Sequence, residues 1–487
     1  MQSDLESTAV AAPAEPRTRR FHELPGPRQL PIVGNALQIR AGDMHRQLEG
    51  WALQYGAFYR LNIGRRNLLV VSDHALIGAA LRDRPERFRR PLYSGIIVRE
   101  LGFDQGVFFA NDDVWRRQRR MVMAGFDPGH VKAYFPSLLN VTQRLQRRWQ
   151  KAAESGAAID LQADLMRFTV DAIAGLAFGS DVNTLDSDED IIQRHLNKIF
   201  PAVFRRTLAP VRWWRYLRLP ADRALERSVR EVKVAIEGFI AQARSRLRAD
   251  PELRLHPRNL LEAMLNAADQ GGSGVDDHDV AGNVLVMLIA GEDTTANTLA
   301  WMLHLLHRNP QALAKAREEV RRLAPDPARF TPEQIGALAY IEACAHETMR
   351  LKPVAPLLPV QAVRDTMLGD VEVPAETIVV GLMRHDALDA GHFVEPNAFI
   401  PERWLASATQ TPSATSAKRV SMPFGAGPRV CPGRYLALTE MKLAMAMLLG
   451  AFEIESVDTP DGRDAPEHLA FTMGPLGLRM QLRPCAD

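Results

Sequence analysis

The chain has 487 residues, of which 46% are hydrophobic and 24% are charged, values typical of a globular protein with a substantial core. Its formal net charge of +2 gives no overall case for nucleic-acid binding. The three cysteines, Cys344, Cys431 and Cys485, are an odd number without paired spacing, which argues against a disulfide framework and indicates a reducing compartment.

The N-terminal segment lacks the apolar stretch of a secretory signal and carries Asp4 and Glu6. Its alanine, proline and charge content predicts disorder over residues 1–20. The sequence contains no long apolar run free of charges, so we expect no transmembrane segment. These features together predict a soluble, cytoplasmic protein.

Residues 57–73 predict two short strands joined by a glycine-containing turn. Helical periodicity dominates from about 74 to 350, and strand character returns at 366–382. A further helix is predicted at about 435–450, followed by a C-terminal stretch with strand character. Because the β-rich stretches lie far apart in sequence, we expect them to pair within one large, mainly α domain that spans 21–487 and has a small β subdomain.

Residues 424–433 read FGAGPRVCPG and place a single cysteine, Cys431, in a glycine-rich loop directly before a predicted helix. A thiolate is an electron-donating metal ligand, and a helix N-terminus lowers the pKa of a thiol. The glycines would let the backbone approach a flat group and aim amide groups at the sulfur. The alternative is an inert cysteine in a buried turn.

The spacing F-x-x-G-x-R-x-C-x-G in this loop resembles the haem loop of the cytochrome P450 family, in which a cysteine thiolate holds the iron. The resemblance extends over about residues 24–480 and implies the cytochrome P450 fold. It also implies haem b (iron protoporphyrin IX) as the cofactor and Cys431 as the metal ligand. The loop residues that it assigns to cofactor binding, besides the cysteine, are Phe424, Gly425, Arg429 and Gly433.

The predicted helix around 280–307 is apolar until the sequence AGEDTT interrupts it. An interior glycine and a threonine that bonds back to a carbonyl can both open a helix locally. By itself this stretch is as consistent with a solvated kink, or with a core helix whose hydroxyls are satisfied, as with a helix opened for function. The family resemblance implies that Ala290 and Gly291 contact the cofactor, that Thr294 hydrogen-bonds dioxygen and that Asp293 relays protons.

Glu347 and Arg350 are three residues apart and would share a helix face, a common and weakly stabilising arrangement. Arg403 lies in the stretch FIPERW. The resemblance joins these three residues in a buried structural network that holds the fold and takes no part in catalysis.

In the stretch WRRQR, Trp115 and Arg119 are four residues apart and can both reach one carboxylate. By resemblance they hold the haem propionates. Their neighbours would then face outward on the cysteine side, either as a solvated face or as a docking patch for an acidic electron carrier. These neighbours are Arg116, Arg117 and Arg120.

Two departures from the family pattern leave the set of propionate ligands open. The stretch at 357–363 has no basic residue of the kind that many members use. His385 stands where the family often has an arginine, so it would be either a propionate contact or a polar turn residue.

The implied activity is monooxygenation, in which dioxygen is activated and a lipophilic small molecule is hydroxylated or epoxidised. The 487 residues hold no flavin or iron–sulfur segment, so we expect electrons from a separate ferredoxin or flavodoxin with its reductase, and a monomeric enzyme. Ordinary core packing is the alternative role for each residue of the implied substrate pocket. These pocket residues are Phe108, Phe109, Met287, Val354, Leu357 and Met473.

Three alternatives stay open. A peroxide-driven or non-oxidative haem-thiolate enzyme would need no external electrons, and a ligand-sensing haem protein would need no acid–alcohol pair.

The aromatic and arginine-rich segment at 204–220 is either a lid packed on the protein, which we favour, or a peripheral membrane contact.

Overall fold

The computed structural model describes residues 18–126, 128–186, 191–405 and 414–485. Most of the segment predicted to be disordered, residues 1–17, lies outside this part of the chain. Arg19 and Arg20, which belong to the same predicted segment, form a short strand that pairs in parallel with Val371 and Glu372. Ordered structure therefore begins before residue 21.

Helices make up most of the described chain, as the periodicity between 74 and 350 predicts. The α-helices are α1 (Met44–Tyr55), α2 (His74–Arg82), α3 (Leu92–Glu100), α4 (Asp112–Gly125), α5 (Pro128–Ala133), α6 (Phe135–Ser155), α7 (Leu161–Ile173), α8 (Ile191–Leu208), α9 (Pro220–Ala249), α10 (Glu252–Leu255), α11 (Leu260–Asp269), α12 (Asp277–His307), α13 (Pro310–Leu323), α14 (Pro332–Gly336), α15 (Ala339–Leu351), α16 (Ala414–Ser421) and α17 (Arg434–Ala451).

The strands are short and lie at the two ends of the helical region and within it. They are β1 (Arg19–Arg20), β2 (Phe58–Ile63), β3 (Arg66–Val71), β4 (Phe88–Arg89), β5 (Ile159–Asp160), β6 (Leu357–Ala362), β7 (Thr366–Leu368), β8 (Val371–Val373), β9 (Ile378–Leu382), β10 (Phe452–Asp458), β11 (Glu467–Leu469), β12 (Met473–Pro475) and β13 (Arg479–Pro484).

The largest sheet has five strands in the order β2-β3-β9-β6-β4. The predicted hairpin at 57–73 is the antiparallel pair β2–β3, with Phe58 opposite Val71. Strand β3 then pairs in parallel with β9, which joins the two β-rich stretches across the fold as predicted. Apolar side chains cover both faces of this sheet, so it packs as a small subdomain against the helices.

Helix α12 is the central element of the helical core. Its N-terminus is capped by Asp276, whose side chain accepts a hydrogen bond from the amide of Asp279. Of its residues, Val284, Leu299 and Trp301 have no accessible surface, because α7, α15 and α17 all pack against it. A helix that is buried on several sides leaves few side chains accessible. The accessible side chains of α12 are therefore candidates for the functional surface.

A buried ionic network ties α15 to the chain between β9 and residue 405. Arg350 donates two hydrogen bonds of 2.8 Å to the Glu347 carboxylate, and Arg403 donates a third of 3.2 Å. The indole of Trp404 and the amide of Ile400 donate two more, each of 2.9 Å. Glu347 and Arg350 are fully buried. The hydrogen bonds join Glu347, Arg350 and Arg403, the three residues that the sequence analysis groups together.

Replacement of Glu347 by glutamine should destabilise the fold by about 3–5 kcal/mol, because two buried guanidinium groups lose their counter-charge. Denaturant unfolding followed by far-UV circular dichroism measures the loss. The matched control is Glu318→Gln on α13, where the side chain is exposed and the unfolding midpoint should stay unchanged. An equal effect of the two substitutions would contradict the structural role of the network.

Candidate active site

The cysteine loop is held in a fixed shape by its own backbone. The amide of Cys431 donates a 3.0 Å hydrogen bond to the carbonyl of Phe424, which closes the loop around a one-turn helix at Gly427–Arg429. Helix α17 begins at Arg434, directly after Gly433, so the thiol lies at a helix N-terminus as predicted. The loop therefore presents one sulfur at a defined position.

The surroundings of the thiol act on its pKa in opposite directions. Burial raises the pKa of the Cys431 thiol, while the amide of Gly433 and the cations of Arg119 and Arg434 lower it. Arg119 is fixed beside the sulfur by a 2.8 Å hydrogen bond to the carbonyl of Val430. These amide and cationic groups are the partners that a thiolate ligand of a metal requires.

Two glycines of the loop adopt left-handed backbone conformations for different reasons. At Gly427, where φ is +71°, a Cβ would lie 2.5 Å from the carbonyl oxygen of Leu81, so the loop packs directly on the end of α2. At Gly425, where φ is +73°, a Cβ would have no atom within 4 Å. The backbone is therefore tight on one side and faces open space on the other.

Three arginines converge beside the loop, of which Arg84 is buried and Arg90 and Arg429 are half-buried. Burial lowers the pKa of Arg84 to about 9, of Arg90 to about 10 and of Arg429 to about 9, and their mutual repulsion adds to the effect on Arg84 and Arg429. In the part of the chain that the structure describes, none of the three forms an ion pair, although the charge of Asp112 reaches Arg429. A concentration of buried positive charge without paired acids is the environment that a dianionic group needs.

The arginine group also carries an unused hydrogen-bond donor. One terminal nitrogen of Arg429 donates to the carbonyl of Ala110 at 2.7 Å, but its Nε is buried without a partner. Its guanidinium lies 4.5 Å from the ring centre of Trp115, which is itself buried. The residues present thus fit a flat group bound by a thiolate, with two carboxylates at its edge, as in haem.

Helix α12 presents a short accessible face in an otherwise buried stretch. Ala290 is exposed although the ten residues before it are buried or nearly so, and Thr294 follows one turn later on the same face. The Thr294 hydroxyl donates to the carbonyl of Ala290 at 2.7 Å, which is the back-bonding expected from the sequence. Gly291 faces Ile173, where a Cβ would come within 2.9 Å of that side chain.

Asp293 lies on the adjacent face of α12 and lines a cavity of about 150 Å³. Its carboxylate accepts a 2.7 Å hydrogen bond from the hydroxyl of Thr472 and a longer one, of 3.4 Å, from Asn297. Burial raises the pKa of Asp293, and these two hydrogen bonds oppose the rise. Asp293 and Thr294 are thus neighbours in sequence, but Asp293 lines the cavity whereas Thr294 lies on the accessible face of α12.

A second buried acid connects the two helices that flank the site. Glu440 of α17 is buried, and the hydroxyl of Thr295 on α12 hydrogen-bonds to its carboxyl group. Burial raises the pKa of Glu440 to about 8, so the carboxyl is mainly protonated at neutral pH. It links the helix that follows the cysteine to the helix that carries Thr294.

Aromatic side chains form a continuous cluster near the predicted substrate pocket. Phe108 lies 4.9 Å from Phe109 and 6.1 Å from Phe471, and Phe471 lies 5.5 Å from Phe200, all between ring centres. Phe200 and Phe471 also line the cavity beside Asp293. The predicted pair Phe108 and Phe109 is therefore half of an apolar group of four rings.

The other pocket residues differ in their placement. The amide of Met473 donates a 2.8 Å hydrogen bond to the carbonyl of Val354, which brings these two predicted stretches together. Met473 itself is fully buried, whereas its neighbours Thr472 and Gly474 line the cavity. Met473 is not among the residues that line that cavity. Met287 is buried and Leu357, at the start of β6, is half-buried.

His385 lies directly before the turn at Asp386–Leu388. Its Nδ1 lies 3.1 Å from Oδ1 of Asp386. Propionate contact and polar turn residue both stay predictions for His385.

The outward-facing arginines of α4 are only partly as predicted. Arg116 and Arg120 are exposed, and Arg116 pairs with Asp113 at 2.6 Å. Arg117 instead packs against the turn at Gly274, where a Cβ would come within 2.5 Å of its side chain. A cavity of about 580 Å³ opens against this helix.

The segment at 204–220 is anchored on the protein. Glu100 accepts hydrogen bonds from the indole of Trp214 at 2.9 Å and from Arg212 at 3.1 Å, so the aromatic and cationic side chains are largely used internally. Trp213 and Tyr216 stay exposed at its tip. Elsewhere, no helix of the described ranges has the length and apolar character needed to cross a bilayer.

Comparison with known families accounts for the whole arrangement. The family model for cytochrome P450 matches residues 24–482. The chain belongs to the cytochrome P450 family. It is a P450 monooxygenase by family, and its cofactor is haem b held through a thiolate. Its fold is the P450 fold. The crystal structure of the cytochrome P450DA haem domain matches it with a TM-score of 0.82 at 25% identity, over 96% of this chain and 99% of that chain.

Relatives of known name span very different members of the P450 family. Rabbit (Oryctolagus cuniculus) cytochrome P450 3A6 is 27% identical over 89% of this chain and 86% of its own length. The chloroplastic carotene epsilon-monooxygenase of Arabidopsis thaliana is 29% identical over 87% of this chain and 79% of its own length. A self-sufficient P450 monooxygenase of Aspergillus niger is 26% identical over 94% of this chain, which corresponds to 43% of that protein.

Sequence reasoning missed several residues of this P450 site. Arg84 and Arg90 lie in an ordinary charged stretch, RDRPERFRRP, and only the fold shows that they converge on Arg429. Glu440 carried a usable signal, because an acid inside the long apolar pattern that follows Cys431 has to be buried or paired. Phe200 carried none, since it is one aromatic residue in an amphipathic helix.

Replacement of Arg429 by methionine should weaken haem retention by about 10- to 100-fold, because a charge-assisted hydrogen bond to a propionate contributes about 1.5–3 kcal/mol. The rate of haem transfer to an apo-globin acceptor measures the effect. Arg116→Met, which removes an exposed cation from α4, is the control and should transfer haem at the wild-type rate. Wild-type retention in the Arg429 variant would remove this residue from the propionate ligands.

Replacement of Glu440 by glutamine should change how stability depends on pH. The pKa of this carboxyl is raised by folding, from 4.5 to about 8, so the stability it contributes is present at low pH and is lost as the pH rises toward 8. Over that pH range the free energy of unfolding of the wild type should fall by up to about 1.4 kcal/mol per pH unit more than that of the variant.

Denaturant unfolding of both proteins at about pH 6 and about pH 8 measures this difference, since the other titrating groups are shared. The control Glu154→Gln removes an exposed acid from α6 and should keep the wild-type dependence. Parallel stability curves for wild type and Glu440→Gln would show that the carboxyl is ionised in the folded protein.

Proposed function

We propose that this P450 activates dioxygen with electrons from a separate acidic carrier protein and hydroxylates or epoxidises a lipophilic small molecule. The observation that carries the proposal is the pair formed by Asp293 and Thr294, an acid on the wall of a small cavity and an alcohol on the accessible face of α12. An enzyme that delivers protons to dioxygen needs both groups, whereas a ligand sensor needs neither.

Haem, when bound to the cysteine loop, supplies the redox chemistry of dioxygen activation. The chain's own part begins with Cys431, whose thiolate we assign as the ligand. The amide of Gly433 and the Arg119 cation stabilise negative charge on that sulfur. Trp115, Arg119 and Arg429, with Arg90, hold the propionates and so fix the orientation of the cofactor.

Thr294 and Asp293 divide the proton transfer between them. Thr294 can exchange its 2.7 Å bond to the carbonyl of Ala290 for a hydrogen bond to dioxygen. Because burial raises the pKa of Asp293, its carboxyl holds a proton more readily than an exposed aspartate would. Asp293 takes protons from the cavity side, where the Thr472 hydroxyl meets it, and passes them toward Thr294.

The substrate class follows from the aromatic cluster. Phe108, Phe109, Phe471 and Phe200 offer apolar ring surface. Desolvation of such surface favours a lipophilic molecule. Segment 204–220 serves as the lid. Its exposed side chains Trp213 and Tyr216 are the part of the lid that would contact a membrane.

The electron donor is expected to be acidic. Arg116 and Arg120 are exposed on α4, the helix whose Arg119 reaches the cysteine loop, so positive charge lies on the surface of a helix that contacts this loop. Charge complementarity at that surface would speed encounter with a ferredoxin or flavodoxin.

The test is reconstitution with a surrogate ferredoxin and its reductase, using a lipophilic probe chosen by its displacement of the iron-bound water. Labelled dioxygen should appear in the product only when the carrier pair and NADPH are present. Turnover with peroxide alone, and none with the carrier, would overturn the proposal in favour of a peroxygenase.

In Thr294→Ala the product formed per NADPH consumed should fall by at least about 10-fold with release of peroxide, because proton delivery of this kind contributes 10²–10⁴-fold. The control Thr298→Ala removes a hydroxyl one turn further along α12 and should keep the wild-type ratio. Both variants should keep the strongly red-shifted Soret band of the reduced carbon monoxide complex. An unchanged ratio in Thr294→Ala would remove this residue from the proton path.

A further inference from the structure

A cluster of three histidines and one aspartate lies between the start of α2 and the turn after β9. His74 is the first residue of α2, Asp386 begins the turn after β9, and His392 follows six residues later. Oδ2 of Asp386 lies 2.8 Å from Nδ1 of His74 and 3.8 Å from Nε2 of His392. One ligand atom from each of these three residues lies within 4.8 Å of the others.

These separations suit a common metal ion. Two ligands that each lie about 2.1 Å from zinc in tetrahedral geometry are separated by roughly 3.4 Å. The two measured distances, 2.8 Å and 3.8 Å, lie on either side of that value. Small side-chain rotations would therefore place all three atoms around one ion without backbone movement.

The aspartate is already oriented by groups that are not needed as ligands. The backbone amide of His74 donates to Oδ2 of Asp386 at 2.8 Å, and Nδ1 of His385 lies 3.1 Å from Oδ1. Partners of this kind fix the direction of a metal-binding carboxylate and raise its affinity. The cluster thus has both ligands and the supporting hydrogen bonds that a bound ion requires.

His392 is held in place by its neighbour while its own side chain stays accessible. Phe393 is buried beneath the guanidinium of Arg350, 4.8 Å from its ring centre, and so belongs to the network that holds α15. The His392 side chain retains 35% of its accessible surface, against 19% for His74 and 14% for Asp386. An ion can therefore enter from solvent on the histidine side.

We propose that His74, Asp386 and His392 bind one zinc ion, with a water molecule as the fourth ligand. Imidazole nitrogens combined with a carboxylate select zinc and related divalent transition metals, whereas magnesium and calcium prefer oxygen ligands alone. The ion ties the start of α2 to the turn at 386–393. The other end of α2 supports the cysteine loop, where Arg84 donates to the carbonyl of Ala426 at 2.9 Å.

The experiment uses the haem-loaded, full-length protein after treatment with a chelator and removal of the chelator. Equilibrium dialysis against micromolar zinc, followed by elemental analysis, should give one zinc per haem iron. His392→Ala should bind zinc at least about 10-fold more weakly, since one of three protein ligands is lost. His256→Ala removes an exposed histidine far along the chain and should bind as the wild type does.

Zinc should also raise the thermal unfolding midpoint of the wild type and of His256→Ala but not that of His392→Ala, because an ion that binds only the folded state stabilises it. Magnesium should have no such effect on any of the three. Retention of no zinc by the wild type, or equal zinc binding by wild type and His392→Ala, would overturn the proposal. The red-shifted carbon monoxide band of His392→Ala reports that this variant is folded.

Discussion

The Glu347 carboxylate is the point on which the packing of α15 against the chain at 387–404 depends. Five hydrogen bonds converge on it in a place without solvent, from Arg350, Arg403, Trp404 and the backbone of Ile400. The remaining nitrogen donors of Arg350 bond to the carbonyls of Ala387, Pro396 and Ala398. One carboxylate therefore fixes a helix, a long turn and the chain that leads toward the cysteine loop.

This arrangement explains why the site can be rigid although much of it is irregular backbone. The loop at 424–433 has no long helix or strand of its own, but it packs on α2 at Gly427 and runs into α17 at Gly433. Both helices are held by neighbours that the Glu347 network orders. A loop held at both ends by fixed elements can position one sulfur without being part of a regular element.

Elements with a clear period were predictable from the sequence. The strand pair at 57–73, the helix around α12 and the helix after Cys431 all lie where alternation or helical spacing indicates. Within the site, Cys431, Glu347 and Arg350 follow from motifs whose residues are close in sequence. These features depend on local spacing, which the chain displays directly.

Features that depend on three-dimensional convergence were not predictable in the same way. Arg84 and Arg90 approach Arg429 from the far side of α2 and β4, and nothing in their local sequence reports the meeting. The hydrogen bond between Asp386 and His74, more than three hundred positions earlier, is likewise visible only in the fold.

The unpaired arginines have a consequence for the life of the protein in the cell. Arg84, Arg90 and Arg429 hold positive charge in the interior, and in the described chain no acid forms an ion pair with them. Newly made chains therefore bear an electrostatic cost until two carboxylates arrive with the cofactor. Because the cofactor binds the folded chain, a larger supply of haem should raise the folded fraction and so the survival of the protein against proteolysis.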